Sequence, residues 1–326
     1  MLKILTSILI LLNPVVGFFT SNNSRVEPKD ASLNEAALVF NAEDYRFPLS
    51  ENMFLASQLI PTYPFRNWNV SNPEISAKIA LVFDVSRQKI LWQKNGLHEK
   101  RPIASLTKLA TALAIMENAK LDDVYKVSKK AVEAHGEMGN LRVGEELTVK
   151  NLLYALLVES SNDAATALAE NISAQGGSAQ GGRVVKNLVG LMNQKARELG
   201  LVNTFFSDPS GLDPQNYSSA WDLNRLMQEV AKYPELQEIM QTASIDLLSV
   251  DGRFNHHLTS TNQLLGRFPE IIGGKTGYTE EAGNCIVLAI KSPDKQGTII
   301  IVIIDSEDRI AEGAALIKWT ENAFLW

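Results

Sequence analysis

The pattern Ser-x-x-Lys occurs three times in the chain, at Ser86–Lys89, Ser105–Lys108 and Ser292–Lys295. A serine hydroxyl is a poor nucleophile unless a neighbouring base takes its proton. A lysine can be that base only where desolvation or a nearby cation lowers its pKa. Local context separates the three pairs. Ser86 and Ser292 fall in predicted hairpin turns, where Ser and Lys are routine. Ser105 opens a helical pattern in which Leu106, Leu109, Ala110, Leu113 and Met116 recur at helical spacing. Residues three apart on a helix share a face, so Lys108 can reach the Ser105 hydroxyl. The N–H groups of a helix start also favour the negative charge that develops on an attacked carbonyl. Serine is a good helix N-cap too, which is the plain structural reason for its presence.

Two further groups could serve this chemistry. Lys275-Thr276-Gly277 lies on a predicted strand. The preceding Gly-Gly invites a nucleotide-binding reading, but the phosphate loop needs a glycine where Pro269 stands, and a strand rather than a helix follows. Ser-x-Asn occurs at Ser21, Ser32, Ser50, Ser160 and Ser260. Only Ser160-Ser161-Asn162 lies between two predicted helices, where its side chains could also cap the second one.

Other hydrolytic chemistries find no support. The histidines are His98, His135, His256 and His257; Pro102 stands where a His98-Glu99 helical zinc motif would need its second histidine. No metal and no cofactor are expected. His256-His257 reads as part of an exposed loop. No Gly-x-Ser-x-Gly turn is present for a Ser-His-Asp hydrolase. The single cysteine, Cys285, sits in an apolar run and reads as a small buried hydrophobe.

The elements that must position these residues can be outlined. Ile79–Val85 and Lys89–Gln93 flank a polar turn and suggest a hairpin. Helices are predicted from Ser105 onward, over Thr148–Val158, Asp163–Ile172, Val184–Leu199 (stopped by Gly200) and Ser219–Ala231. A tandem Ser-Ala-Gln-Gly-Gly over Ser173–Gly182 predicts a flexible loop. Ile271–Tyr278, Asn284–Ile290 and Thr298–Asp305 are strand-like, and a last helix covers Ala311–Phe324. Strands at both ends around a helical middle argue for one antiparallel sheet packed against helices, an α+β class.

The chain begins with a short basic stretch and an uncharged apolar run, Ile4–Phe19, broken by Asn13-Pro14. This matches an export signal, cleaved or kept as an N-terminal membrane anchor over residues 1–19. Residues 20–74 are rich in Asn, Ser, Pro and Glu and read as a linker or wrapping arm; 75–326 read as the folded domain. Net charge is −6 without a basic block, which excludes the electrostatic footprint of a nucleic-acid binder.

Ser105-Leu-Thr-Lys108, Ser160-Ser-Asn162 and Lys275-Thr-Gly277 occur in the order shared by penicillin-binding proteins and class A β-lactamases. Pro102–Lys108, Ser161-Asn-Asp-Ala-Ala165, Asp208-Pro-Ser-Gly-Leu212 and Gly274–Thr279 each resemble D-alanyl-D-alanine carboxypeptidase segments. The resemblance covers residues 75–326. It implies the penicillin-binding protein/β-lactamase-like fold: a five-stranded antiparallel sheet flanked by helices, with a mostly helical subdomain inserted.

The resemblance also implies roles. Ser105 is the nucleophile on the D-Ala-D-Ala bond of peptidoglycan stem peptides, and Lys108 is its base. Ser160 relays a proton, and Asn162 orients Lys108 and the substrate. Lys275, Thr276, Gly277, Tyr278 and Arg309 bind substrate, with the N–H groups of Ser105 and Tyr278 as oxyanion hole. β-Lactams are then covalent inhibitors, and the setting is exported, periplasmic or extracellular. Three alternatives stand beside the carboxypeptidase. A D,D-endopeptidase would cut crosslinks. A class A β-lactamase would need a deacylating glutamate, of which Asp222-Leu-Asn224 is only a fragment; Glu159 reads as pointing to solvent. A non-catalytic muropeptide-binding module is the third.

Overall fold

The computed structural model describes residues 64–133, 140–175 and 187–326. Five strands form the main sheet: β1 (Ile79–Asp84), β2 (Lys89–Lys94), β3 (Ile271–Thr279), β4 (Gly283–Lys291) and β5 (Thr298–Ser306). Their spatial order is β3-β4-β5-β1-β2, with every neighbouring pair antiparallel. The chain therefore enters through a hairpin at one edge and returns as a meander at the other.

The apolar runs of β1, β4 and β5 do not alternate with polar residues, because both sheet faces are covered. Leu81, Phe83, Val287, Ala289, Ile300 and Val302 join the core shared with the helices from the middle of the chain. Ala80, Val82, Ile286, Leu288, Ile301 and Ile303 face the other way, against Leu316 and Ile317 of the last helix. Each such Val, Leu, Ile or Phe side chain contributes about 1.5–3 kcal/mol by leaving water. β2 is an edge strand with lysines at both ends, which discourages further pairing on that side.

Among the described residues, six α-helices longer than a single turn lie between β2 and β3: α1 (Lys108–Asn118), α2 (Val149–Tyr154), α3 (Asn162–Gln175), α4 (Leu188–Glu198), α5 (Ala220–Val230) and α6 (Pro234–Gln241). α7 (Arg309–Asn322) follows β5. It starts two residues before its predicted boundary because the Asp308 carboxylate caps the N–H groups of Ile310 and Ala311. Arg309 is thereby placed in the first turn of the helix. The first residues of the tandem repeat, Ser173–Gln175, continue α3 instead of forming a loop; residues 176–182 lie outside the described residues, as do 1–63 and His135. Phe65–Arg66 pair with Phe324–Leu325.

Sequence reasoning overlooked a hairpin, Ser244–Leu248 with Asn255–Thr259. His256 sits in it and is buried, with Nε2 at 2.9 Å from the Glu145 carboxylate; the exposed-loop reading therefore fails, since both histidines lie on a strand and only His257 is exposed. Cys285 is fully buried, and burial raises its thiol pKa to about 11, as befits an inert core residue.

Candidate active site

Ser105 does not begin α1. It lies in a 3₁₀ turn, Ala104–Thr107, that leads into the helix at Lys108, and no side-chain cap bond forms there. The turn is entered through Ala104 in the left-handed region, φ 47°. Its carbonyl is backed by Gly211, itself at φ 87°, where an added Cβ would stand 2.0 Å from Ala104 O. Only glycine fits this crossing.

Lys108 is fully buried, and its Nζ meets three neutral oxygens: Ser105 Oγ at 2.8 Å, Asn162 Oδ1 at 2.9 Å and Ser210 O at 2.7 Å. Burial lowers its pKa to about 7, against a smaller upward pull from Asp208. Such an amine is partly neutral at physiological pH and can accept the Ser105 proton.

The Ser210 carbonyl is placed by a residue that sequence reasoning quoted but gave no role. The Asp208 carboxylate accepts from the N–H groups of Ser210, Gly211 and Asp213, from the Ser210 hydroxyl and from Asn216 Nδ2. These donors hold its pKa low despite burial. Turn chemistry in Asp-Pro-Ser-Gly was the available signal.

Ser160 follows α2 and a π-type turn, Ala155–Glu159, and adopts φ 69°. A non-glycine residue there costs of order 1 kcal/mol, and such conformations cluster at functional sites. Ser161, not Ser160, supplies the cap of α3 by accepting from Ala164 N–H. That leaves the Ser160 hydroxyl for Lys275, whose Nζ donates to it at 2.8 Å and to Thr276 O at 2.9 Å. Lys275 is fully buried too. Burial first, then the positive charges of Lys108 and Arg309, push its pKa well down.

β3 passes close to the nucleophile. A Cβ on Gly277 would lie 3.0 Å from Ile103 O and 3.1 Å from Ser105 N, so a side chain here would force the strand away. Arg309 is half-buried and donates to Gly277 O at 2.8 Å and to Asn284 Oδ1 at 3.2 Å. Thr276 is buried, its hydroxyl 2.6 Å from that of Thr261. The side chain of Tyr278 is exposed. The fold thus gathers Ser105, Lys108, Ser160, Asn162, Lys275 and Gly277 at one point, with Thr276 and Tyr278 on the same strand and Arg309 reaching it from α7.

The acids near the motifs behave otherwise. Glu159 is half-buried behind the Ser160 turn, not solvent-directed, and burial raises its pKa. Asp163 is similarly raised by burial, to about 6. Asp222 lies inside α5 and accepts from Asn203 N–H and the Thr204 hydroxyl. Among the described residues no carboxylate hydrogen-bonds to Ser105 or Lys108.

The sheet topology and the Ser–Lys pair define a penicillin-binding-protein-like DD-peptidase, and similarity to known proteins agrees. The sequence profile of peptidase family S11, D-alanyl-D-alanine carboxypeptidase, matches residues 66–308. D-alanyl-D-alanine carboxypeptidase DacF of Bacillus subtilis is 35% identical over 254 residues, 76% of this chain and 62% of that protein. A D-alanyl-D-alanine endopeptidase of Pseudomonas aeruginosa is 31% identical over 255 residues, 76% of this chain and 78% of that protein. The crystal structure of the Streptomyces K15 DD-transpeptidase superposes with a TM-score of 0.69 at 28% identity, covering 77% of this chain and 99% of that one. The chain belongs to the D-alanyl-D-alanine carboxypeptidase family of serine peptidases.

Proposed function

We propose that this chain is a serine-type D-alanyl-D-alanine carboxypeptidase that trims peptidoglycan stem peptides through an acyl-enzyme on Ser105. The observation that carries the reading is Lys108, a buried amine hydrogen-bonded to three neutral oxygens, among them the Ser105 hydroxyl at 2.8 Å. Lys108 takes the Ser105 proton as Oγ attacks the carbonyl between the two D-alanines. The oxyanion sits between the N–H groups of Ser105 and Tyr278. Ser160, held by Lys275, passes a proton to the leaving amine, and Asn162 orients Lys108 and the substrate amide. Water then cleaves the ester and returns Ser105.

The peptide adds to the outer edge of β3 as an antiparallel strand. Its carboxyl end then points toward Lys275 and Thr276, and its amino-terminal part toward Tyr278. Arg309 adds positive charge beside the terminal carboxylate and steadies the Gly277 carbonyl. Helices α1–α6 act as a mostly helical subdomain inserted between β2 and β3, with the site at its junction with the sheet. The substrate places the enzyme outside the cytoplasmic membrane. Residues 1–19 serve as export signal or anchor; among the described residues no helix is long and apolar enough to cross a membrane.

A second reading, D,D-endopeptidase cleavage of crosslinks, rests on endopeptidase relatives 30–31% identical to this chain and matched over 78–79% of their length. The test is incubation with a peptide ending in D-Ala-D-Ala and, separately, with a crosslinked dimer. Release of D-alanine from the first supports the carboxypeptidase. Cleavage of the dimer alone supports the endopeptidase, and cleavage of neither overturns both.

A further inference from the structure

Thr261 belongs to none of the three motifs that meet at the site, yet it joins two of them in space. Its N–H donates to the Val158 carbonyl at 3.0 Å, in the turn that leads to Ser160. Its hydroxyl lies 2.6 Å from that of Thr276. It comes to this place because the strand Asn255–Thr259 packs beside the Ala155–Glu159 turn before the chain loops back into β3. One short segment thus touches both walls of the site.

The two hydroxyls carry two hydrogens, and their mutual bond takes up one. The second O–H stays available to donate. Thr276 cannot drift, because Lys275 Nζ donates to its carbonyl at 2.9 Å and to Ser160 at 2.8 Å. A hydroxyl that accepts one hydrogen bond becomes a stronger donor of the next. A carboxylate is the acceptor that gains most from such a donor, since the bond is charge-assisted.

We infer that Thr261 is a positioning residue for the substrate carboxylate: it donates to Thr276, so that Thr276 turns its own O–H toward the peptide's terminal carboxylate. Through its N–H, Thr261 ties that contact to the turn that presents Ser160. The inference rests on the carboxypeptidase reading, in which the peptide's carboxyl end lies at Thr276.

The test compares kcat/KM for a D-Ala-D-Ala peptide with a free carboxylate and for the same peptide capped as an amide. Thr261→Val keeps the shape and removes the donor. It is expected to lower the carboxylate-to-amide ratio about tenfold, chiefly through KM, the size of one hydrogen bond to a charged group. Thr261→Ser retains the hydroxyl and is expected to keep the ratio within about twofold. Thr276→Val should lower the ratio as well, and adding Thr261→Val to it should change the ratio no further, because both act on one contact. Thr261→Ser and Thr276→Val read the contact even where Thr261→Val fails to fold. Equal losses on both peptides, or an unchanged ratio in a Thr261→Val protein that still hydrolyses them, overturn the inference and leave the carboxypeptidase reading standing. Thr261→Ser behaving like Thr261→Val overturns it too. Wild-type protein that hydrolyses neither peptide overturns the parent reading and this inference with it.

Discussion

Lys108 and Lys275 are buried among hydroxyl, amide and carbonyl oxygens, whereas His256, behind the Ser160 turn, is buried against the Glu145 carboxylate. The lysines keep hydrogen-bond partners in either protonation state but, among the described residues, bond to no carboxylate. Burial therefore pushes Lys108 to about 7 and Lys275 well below its ordinary range. A carboxylate bonded to Lys108 would hold its proton and disable it as a base. The fold withholds one even where an acid is near: Asp208 turns its oxygens to its own loop and offers Lys108 the Ser210 carbonyl instead. At His256 and Glu145 a direct hydrogen-bond contact links segments 111 residues apart, a role of adhesion rather than proton transfer.

The largest effect should come from breaking the Ser105–Lys108 pair. Ser105→Ala and Lys108→Ala are each expected to lower release of D-alanine by roughly 10⁴-fold or more, and by similar amounts, because nucleophile and base act as a unit. Substantial turnover by either variant would move the chemistry elsewhere. Glu145→Gln probes the other region. Leaving one partner of a buried pair alone is expected to cost about 3 kcal/mol, read from the denaturant midpoint. An unchanged midpoint would remove the adhesive role.

Asp208→Asn sharpens the contrast with a smaller effect. Acylation should rise with pH as Lys108 loses its proton, with a midpoint near the Lys108 pKa of about 7. The Asp208 charge pulls that pKa upward, so removing it should move the limb to lower pH. The disturbed loop should also slow acylation by about tenfold, typical of residues that orient a reacting group. A limb displaced to higher pH in a stopped-flow acylation profile would contradict this account of Lys108.

The two regions were unequally legible in the sequence. The residues of the candidate site could be found because each motif combines residue types with one chemistry, and because α1 carries helical periodicity while β4 and β5 are continuous apolar runs. The Ser105 turn was read as a helix start, since a 3₁₀ turn and a first helical turn share the i, i+3 spacing. Glu145, His256 and Thr261 were hidden because their partners are far away in the chain. The hairpin around His256 was missed although Leu247, His256 and Leu258 alternate with more exposed neighbours; the strands are short and polar, and tertiary packing decides their state.

The acyl-enzyme itself offers the most direct test. Penicillin presents Ser105 with a strained amide whose leaving amine stays tethered by the ring and obstructs the water that would cleave the ester. A class A β-lactamase overcomes this with a glutamate-activated water. Here, among the described residues, no carboxylate hydrogen-bonds to Ser105 or Lys108. Intact-protein mass spectrometry after mixing with benzylpenicillin is expected to show one adduct, mapped to the peptide containing Ser105, persisting for minutes or longer and absent from Ser105→Ala. An adduct that survives Ser105→Ala, or rapid release with many turnovers of hydrolysed drug, would contradict the account.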